Sequence, residues 1–279
     1  MAKLYLVATP IGNLGDLSER ARQTLSEVDF IAAEDTRVTL KLLNRFEISK
    51  PMMSYYQHNL RERGDQIVAR IQAGENCALV TDAGMPAISD PGEDLVRLCA
   101  ASGIEVLAVP GPCAAVTALA LSGLETSRFC FEGFLSANRQ SRRERLEELS
   151  DETRTMIFYE APHKLRTTLA DLCAAFGGDR RIALAREITK IHEEVIRITL
   201  EESVARYELE NPRGEFVLVV SGAPVPVATA TFLEDAVGLA RSLMDGGIGP
   251  APAAKEAARI TGCRKTDIYR VLIAQKMNH

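Results

Sequence analysis

The chain has 279 residues, of which 46% are hydrophobic and 25% are charged, and its net charge is −5. This composition is that of a globular protein and excludes a disordered or collagen-like chain. The net negative charge argues against a protein surface that binds nucleic acid nonspecifically. No apolar run approaches the ~20 residues that a membrane helix needs, so neither a membrane span nor a secretory signal is expected.

The first half alternates short apolar runs with amphipathic stretches, which predicts a mostly parallel α/β sheet. The predicted strands are Leu4–Ala8, Phe30–Ala33, Met52–Tyr55, Ala78–Thr81 and Glu105–Val109. Asp90 and Pro91 predict a helix start, and Gly103 predicts a helix end.

The loops that follow these strands contain the unusual residues of the first half. Their sequences are TPIGN, AEDTR, YQHN, TDAGMPAISDPG and PGPCAA. Because the carboxyl ends of parallel strands share one edge, we expect all five loops to face one ligand cleft. The glycine fingerprints of dinucleotide-binding and P-loop proteins are absent, so the residues by themselves predict a site without a substrate.

The second half mixes strands and helices and predicts a sheet with some antiparallel pairing. The predicted strands lie near Arg128–Glu132, Thr155–Glu160, Arg181–Ala185, Glu194–Thr199 and Glu215–Ser221, and the helices at Arg142–Leu149, His163–Phe176 and Leu200–Glu208. The segment Gly222–Ala230 is predicted to be a linker. After it, AAKEAARITGCRKTDIYRVLI has the helix, glycine turn and helix of a helix-turn-helix.

The six cysteines show no CxxC pair and no metal-like clustering with the four histidines. They are expected to be reduced thiols of a cytoplasmic protein, and no metal site is expected.

Nine motifs, in this order, resemble the tetrapyrrole-methylase-like superfamily, and within it the 16S ribosomal RNA 2′-O-cytidine methyltransferases. They are TPIGNLGDL, AAEDTR, QHN, TDAGMPAISDPG, PGPCAAVTAL, FEGF, FYEAPHKL, AREITK and RGEFVLVV. The residues predict a domain boundary near Pro110–Pro112 or Thr126, and the domains are taken as residues 1–112 and 113–224. The resemblance implies two α/β domains with S-adenosylmethionine in the cleft between them. Residues 225–279 then form a linker and a helical segment, and the protein is expected to be a homodimer.

The resemblance also implies which residues contact the cofactor. They are Pro10, Gly12, Asp82, Ala83, Gly84, Ala87, Cys113, Ala114, Glu160 and Ile188. The implied reaction is 2′-O-methylation of a cytidine in the decoding centre of 16S ribosomal RNA. Methylation of a small molecule such as a tetrapyrrole, or RNA binding without catalysis, are the alternatives.

Three residues are candidates for deprotonating or orienting the ribose hydroxyl, namely Asp35, His58 and Lys190. Each also has an ordinary structural interpretation, since Asp35 could cap a helix and a lone histidine is more often a surface or core group. The sequence leaves the general base unassigned.

Two basic clusters suggest contacts with a polyanion on an otherwise acidic protein. One contains Arg139, Arg142, Arg143 and Arg145, and the other lies in the last 29 residues. The residues predicted to contact RNA are Arg37, Arg142, Arg143, Arg264, Lys265 and Arg270. A solvated helix face, or a helical segment that only packs, is the alternative for either cluster.

Overall fold

The computed structural model describes residues 2–224 and 230–276. Its first sheet contains β1 (Leu4–Val7), β2 (Phe30–Ala33), β3 (Met52–Ser54), β4 (Cys77–Val80) and β5 (Val106–Val109). The order is β3-β2-β4-β1-β5 and every pair is parallel. All five strands therefore end at one edge, as the alternating pattern predicted.

Four helices connect these strands: α1 (Glu19–Glu27), α2 (Thr36–Arg45), α3 (Leu60–Gln72) and α4 (Gly92–Ala101). The residues of β2 and β4 are buried along their whole length, which explains their continuous apolar sequences. Separate apolar clusters cover the two faces of the sheet, around Leu25 and Ile31 on one face and Phe30 and Ile67 on the other.

The chain does not enter α1 directly from the first loop. A short 3-10 helix, Leu14–Asp16, comes first, and Asn13 accepts a hydrogen bond from the Gly15 N–H at its start. The α-helix begins after Ser18, whose hydroxyl accepts from the Ala21 N–H at 3.1 Å. The loop after β1 is therefore longer than its turn sequence alone suggests.

The second sheet contains β6 (Phe129–Phe134), β7 (Thr155–Glu160), β8 (Arg181–Arg186), β9 (Glu194–Thr199) and β10 (Phe216–Val220). The order is β6-β7-β10-β8-β9. β10 pairs antiparallel with both β7 and β8, and β8 pairs antiparallel with β9, whereas β6 and β7 are parallel. The predicted mixed sheet is thus confirmed.

Helices α5 (Ala114–Ser122), α6 (Arg139–Glu148), α7 (Leu165–Phe176) and α8 (Leu200–Leu209) accompany this sheet. Ala115, Ala118 and Leu119 of α5 pack on one face with Val217 and Val219 of β10. The larger cluster on the other face includes Phe158 and Leu218. The helix α5 therefore packs on the second sheet, although it directly follows the last strand of the first.

Residues 2–223 form one compact unit by chain contacts, and the remaining described residues form a second. The second unit consists of α9 (Ala230–Asp245), α10 (Pro250–Thr261) and α11 (Lys265–Lys276) around a small core that includes Ala240, Ala257 and Ile268. Gly262 ends α10 with a φ of +73°, so the predicted helix, glycine turn and helix are present. Most of the predicted linker, residues 225–229, lies outside the described residues.

Candidate active site

Loops from distant parts of the chain meet at the carboxyl edge of the first sheet. Thr9 and Gly84 form an isolated antiparallel bridge in which each N–H donates to the other's carbonyl, at 2.9 and 3.1 Å. Gly84 has a φ of +91°, and a Cβ placed there would lie 3.4 Å from Ile11 Cγ2 and 3.6 Å from the Pro112 carbonyl oxygen. The loops after β1, β4 and β5 therefore touch around a glycine that suits this conformation.

These loops and one end of the second sheet enclose a cavity of about 460 Å³, within the usual size range of ligand pockets. The first wall consists of Ile11, Glu34, Thr81–Met85, Ile88–Asp90, Cys113 and Ala114. The second wall consists of Phe134, Tyr159–Pro162, Ala185, Ile188 and Glu215–Val217. The cavity is thus a cleft between the edges of two sheets.

Seven of the ten residues predicted to contact the cofactor line this cleft. They are Asp82, Ala83, Gly84, Cys113, Ala114, Glu160 and Ile188. The other three predicted contacts do not line the cleft, namely Pro10, Gly12 and Ala87. Each is the chain neighbour of a residue that does, either Ile11 or Ile88. A Cβ on Gly12 would lie 2.5 Å from Lys190 Cγ, so this glycine permits close contact between the loop after β1 and the connection between β8 and β9.

Three carboxylates make the first wall negative. Glu34 accepts a hydrogen bond from the Thr81 hydroxyl at 2.6 Å. Burial, followed by the adjacent Glu34 charge, raises the pKa of Asp82. Burial also raises the pKa of Asp90, although the Gly92 and Ala87 N–H groups donate to its Oδ1 and oppose the shift.

The second oxygen of Asp90 is buried and has no hydrogen-bond partner among the described residues. A buried carboxylate oxygen without a donor is costly, so it is a ready acceptor for an amine or hydroxyl of a ligand. Together with the other two carboxylates, it makes this wall complementary to a ligand that carries positive charge.

Glu160 belongs to the second wall and is almost fully buried. Its Oε1 accepts from the Ala161 N–H at 2.8 Å, and its Oε2 accepts from the Thr168 hydroxyl. The side chain therefore fixes the turn between β7 and α7 at the cleft, whatever the ligand.

The three catalytic candidates lie near the cleft rim or away from it, and none of them lines the cavity. Asp35 caps α2 and forms an ion pair with Arg37 at 2.6 Å. The hydrogen bonds from the Arg37 side chain and backbone lower the pKa of Asp35 to about 2. Its backbone N–H donates to Asp82 Oδ1 at 3.1 Å, so Asp35 is well placed to orient a residue of the first wall.

His58 is exposed in the turn after β3 and faces the ring of Tyr56 edge-on, with centroids 6.2 Å apart. The expectation that all five loops face the cleft is wrong for this loop. Asn59 folds the turn back on itself, because its side chain accepts from the Tyr56 N–H and donates to the Ser54 carbonyl. This folded turn follows β3, an edge strand of the sheet.

Lys190 donates to Glu187 at 2.8 Å and to Glu215 at 3.0 Å. Burial alone would lower the pKa of Lys190, but the hydrogen bonds to the two carboxylates raise it above its ordinary value. The ammonium group therefore stays protonated at neutral pH and can hold a charge in place, but it cannot accept a proton there.

Backbone strain is concentrated around the cleft. Among the described residues, five that are not glycine have a positive φ, and four of them flank the cleft: Ala87, Ser89, Glu187 and Thr189. Non-glycine residues in this region cost about 1–3 kcal/mol each and cluster at functional sites. The positive φ values in the loops after β4 and β8 therefore indicate a functional site at the cleft.

The predicted RNA contacts differ in their availability. Arg142 is mostly buried in an ion pair with Asp171 of α7 at 2.7 Å, so it is less accessible to RNA than its neighbours on α6. Arg37 is 86% exposed but paired with Asp35. Arg143 is exposed and has no ion-pair partner in the described part of the chain.

The predicted RNA contacts of the second unit lie at the start of α11 and along it. Arg264 and Lys265 are exposed, without ion pairs among residues 230–276, and Arg270 lies 4.0 Å from Asp267. The unit therefore offers basic side chains next to the turn of the helix-turn-helix.

Sequence reasoning missed two parts of the cleft, namely Phe134 and the residues Glu215–Val217. Both belong to motifs that the resemblance used, FEGF and RGEFVLVV, but neither was assigned a role. The start of β10 joins the site because antiparallel pairing places Phe216 beside Glu160 and Arg186, the last residues of β7 and β8.

Across residues 2–224 and 230–276, no three His, Cys, Asp or Glu side chains are grouped as a metal site would require. No helix within these ranges is long and apolar enough to cross a membrane.

A sequence model of the family described as Tetrapyrrole (Corrin/Porphyrin) Methylases matches residues 3–204. The chain belongs to the tetrapyrrole methylase family. Within it, the chain is 47% identical over 272 residues to a Synechocystis protein named ribosomal RNA small subunit methyltransferase I, with 97% of each chain covered. A Pseudomonas aeruginosa protein of the same name is 45% identical, with 96% of this chain and 95% of the relative covered.

A solved structure with the same fold is uroporphyrin-III C-methyltransferase from Thermus thermophilus, complexed with S-adenyl homocysteine. Its TM-score is 0.55 at 17% identity, and the match covers 78% of this chain and 97% of that one. Family membership confirms the predicted fold and enzyme class, a methyltransferase of the tetrapyrrole methylase type.

Proposed function

We propose that this protein transfers a methyl group to the 2′-hydroxyl of a cytidine in the decoding centre of 16S ribosomal RNA. The relatives named ribosomal RNA small subunit methyltransferase I, matched over almost the whole chain, support small-subunit RNA as the substrate. The observation that carries the proposal is the cleft, where seven residues assigned to the cofactor by motif lie together.

The methyl donor is S-adenosylmethionine, whose sulfonium supplies an activated methyl group when bound. The cleft fits it chemically, because the carboxylates of Glu34 and Asp90 complement the positive sulfonium and ammonium groups. The buried unpartnered oxygen of Asp90 is a ready acceptor for one of its donors. Apolar residues such as Ile11 and Ile188 line the remainder.

The chain contributes to the reaction mainly by holding two reactants in line. Orientation of this kind is worth up to about 7–11 kcal/mol, whereas a general base contributes about 10²–10⁴-fold in rate. The bridge between Thr9 and Gly84 and the Lys190 contacts with Glu187 and Glu215 fix the two walls that do this.

The proton of the ribose hydroxyl needs an acceptor near the cleft. We place this role with Asp82, because it lines the cavity and burial raises its pKa, which makes it a better base than Asp35. Asp35 then acts by capping α2 and by donating its N–H to Asp82. Lys190 is proposed to position the second wall as a permanent cation.

The second unit is proposed to bind the phosphate backbone of the RNA through its helix-turn-helix. Replacing Arg264 and Lys265 by alanine in the full chain should weaken small-subunit binding and reduce the salt slope by about 0.7–0.9 per lost phosphate contact. An unchanged slope would assign the unit a packing role only. The matched control is Lys255→Ala, which removes an exposed cation from α10 of the same unit.

We further propose a homodimer that acts in the cytoplasm on the small ribosomal subunit, with α/β domains that divide at residues 112 and 113. The packing of α5 on the second sheet supports this division.

Transfer of labelled methyl groups tests the proposal. Unmethylated small subunits should accept label at the 2′-oxygen of one cytidine, whereas tetrapyrrole acceptors should not. Label on a tetrapyrrole alone would indicate a small-molecule methyltransferase. Absence of S-adenosylmethionine binding by calorimetry would leave an RNA-binding protein without catalysis.

A further inference from the structure

Phe134 is a large apolar ring at the mouth of the cleft. It lines the cavity, yet 60% of its surface is exposed. Of the large hydrophobic residues described as exposed, only Ile88 shares both properties. A ligand that stacks on the ring would explain why so large an apolar side chain is exposed beside a binding cleft.

The backbone directs this ring to its position. A β-bulge shifts the register of β6 between Phe131 and Gly133, and Gly133 has a φ of +63°. A Cβ on Gly133 would lie 3.3 Å from Ser89 Oγ, so the bulge touches the loop after β4. Bulges next to active sites re-aim side chains, and this one turns the end of β6 towards the opposite wall.

The ring also has a rigid support. It contacts Tyr159 edge-on, with centroids 5.5 Å apart and planes at 62°. Tyr159 is held in turn by Phe131, 5.1 Å away, and its hydroxyl accepts from the Ala115 N–H at 3.2 Å. One edge of Phe134 is therefore packed while much of the ring remains free for a planar partner.

A planar partner is what methylation of a ribose requires. The 2′-hydroxyl can enter an enclosed cleft only if its nucleotide leaves the stack of the RNA, and the freed base then needs a new surface. Proteins that bind unstacked bases supply aromatic rings for this purpose.

We propose that Phe134 stacks on the base of the target nucleotide and so places its ribose in the cleft. This inference rests on the function proposed above and adds a positioning residue to it. Arg139, five residues after Phe134 at the start of helix α6, is exposed and has no ion pair among the described residues, so its guanidinium is available to a phosphate beside this base. Arg142 and Arg145 of the same helix are paired with acidic residues instead.

Kinetics with three substitutions test the stacking. Phe134→Ala should lower kcat/KM for unmethylated small subunits about 5- to 150-fold, equivalent to the 1–3 kcal/mol of one stacked base. The dissociation constant of S-adenosylmethionine, measured by calorimetry, should change less than twofold. Phe134→Tyr should restore activity, whereas Phe134→Leu, which keeps apolar bulk without a ring, should not.

The matched control is Phe129→Ala. Phe129 is the first residue of β6, is 41% exposed and does not line the cleft, so its removal should leave kcat/KM unchanged. Equal activity of Phe134→Leu and wild type would overturn the inference. So would a loss of cofactor affinity in Phe134→Ala, because the ring would then contact the cofactor.

Fluorescence gives a second, direct measurement, since the chain contains no tryptophan. The emission of Phe134→Trp should be quenched by a short cytidine-containing oligoribonucleotide and not by S-adenosylhomocysteine alone, whereas Phe129→Trp should respond to neither. The reverse pattern at position 134 would overturn the inference. Failure of wild-type protein to methylate small subunits would instead overturn the proposed function, so the two failures are distinguishable.

Discussion

In the first sheet every strand runs the same way, whereas in the second sheet the central strand β10 opposes both of its neighbours. The first wall of the cleft consequently comes from loops that follow strands. The second wall combines the ends of β7 and β8 with the beginning of β10, where Phe216 pairs with Glu160 and with Arg186. Strand direction thus decides which residues of a sheet can reach a shared edge.

Each wall also has a glycine with a positive φ where one loop packs closely against another. Gly84 in the first wall has a φ of +91°, and Gly214, just before β10, has a φ of +81°. A Cβ on Gly84 would approach Ile11 and Pro112, whereas one on Gly214 would overlap Glu187 at 2.5 Å. Substitutions at these two glycines should separate cofactor binding from positioning of the second wall.

Of the two glycine substitutions, Gly84→Ala should have the larger effect. The left-handed backbone costs a side chain about 1–2 kcal/mol, and relief of that strain would separate the loops after β1 and β4. We expect the dissociation constant of S-adenosylmethionine to rise about 10- to 100-fold by calorimetry. Gly74→Ala is the control, since Gly74 has a φ of +106° with open space around it and should change stability but not affinity.

Gly214→Ala should have a smaller effect, about tenfold on kcat/KM, with cofactor affinity nearly unchanged. The added Cβ displaces Glu187, which accepts hydrogen bonds from Lys190 and from the Glu215 N–H. Steady-state methyl transfer and calorimetry on the same preparation measure both quantities. If affinity and turnover fall together, the two walls do not have separate roles.

Lys190→Met should lower kcat/KM about five- to tenfold, and Lys190→Arg should recover most of it, because the role is a fixed positive charge. The pKa of Lys190 is raised, so its charge is present below the ordinary value of 10.5 and is lost only as pH rises through the still higher value in the folded protein. The plot of kcat/KM against pH should therefore show no rise or fall between pH 6 and 9 that is due to titration of Lys190. A rise or fall of kcat/KM with pH that is present in the wild type and absent in Lys190→Met would show that this residue titrates during catalysis.

The smallest effect is expected for Asp35→Asn, with turnover within about twofold of wild type in single-turnover experiments. Asparagine caps a helix about as well as aspartate, so α2 keeps its start. The pKa of Asp35 is lowered to about 2, so its contribution to stability is present above the ordinary value of 3.8 and is lost as pH falls towards 2. Asp35→Ala, which also loses the cap, is the comparison. Equal, large losses in both variants would restore Asp35 as the base.

Much of the fold followed from local sequence. The apolar runs of β2 and β4 are buried along their whole length, and α10 and α11 flank Gly262 as the pattern predicts. Helix starts were less accurate, since α6 begins at Arg139 after the cap Asn138, three residues before the predicted start. Capping by a side chain depends on a hydrogen bond that hydrophobic periodicity does not reveal.

Which residues line the cleft was predictable where a loop follows a parallel strand, as with Asp82 and Cys113. It was not predictable for His58, because Asn59 folds that turn back through its own hydrogen bonds. The ion pair of Arg142 was not predictable either, since its partner Asp171 lies 29 residues away in α7. Which arginines remain free depends on such distant contacts.

By itself, the sequence determined the alternation of strands and helices, the ordered family motifs and the loops that carry them, because these depend on neighbouring residues. Only the tertiary structure decided that β10 begins at the cleft, that a bulge presents Phe134 there and that Lys190 is held by two carboxylates. Those outcomes depend on strand direction, register and burial, which join residues that are far apart in the chain.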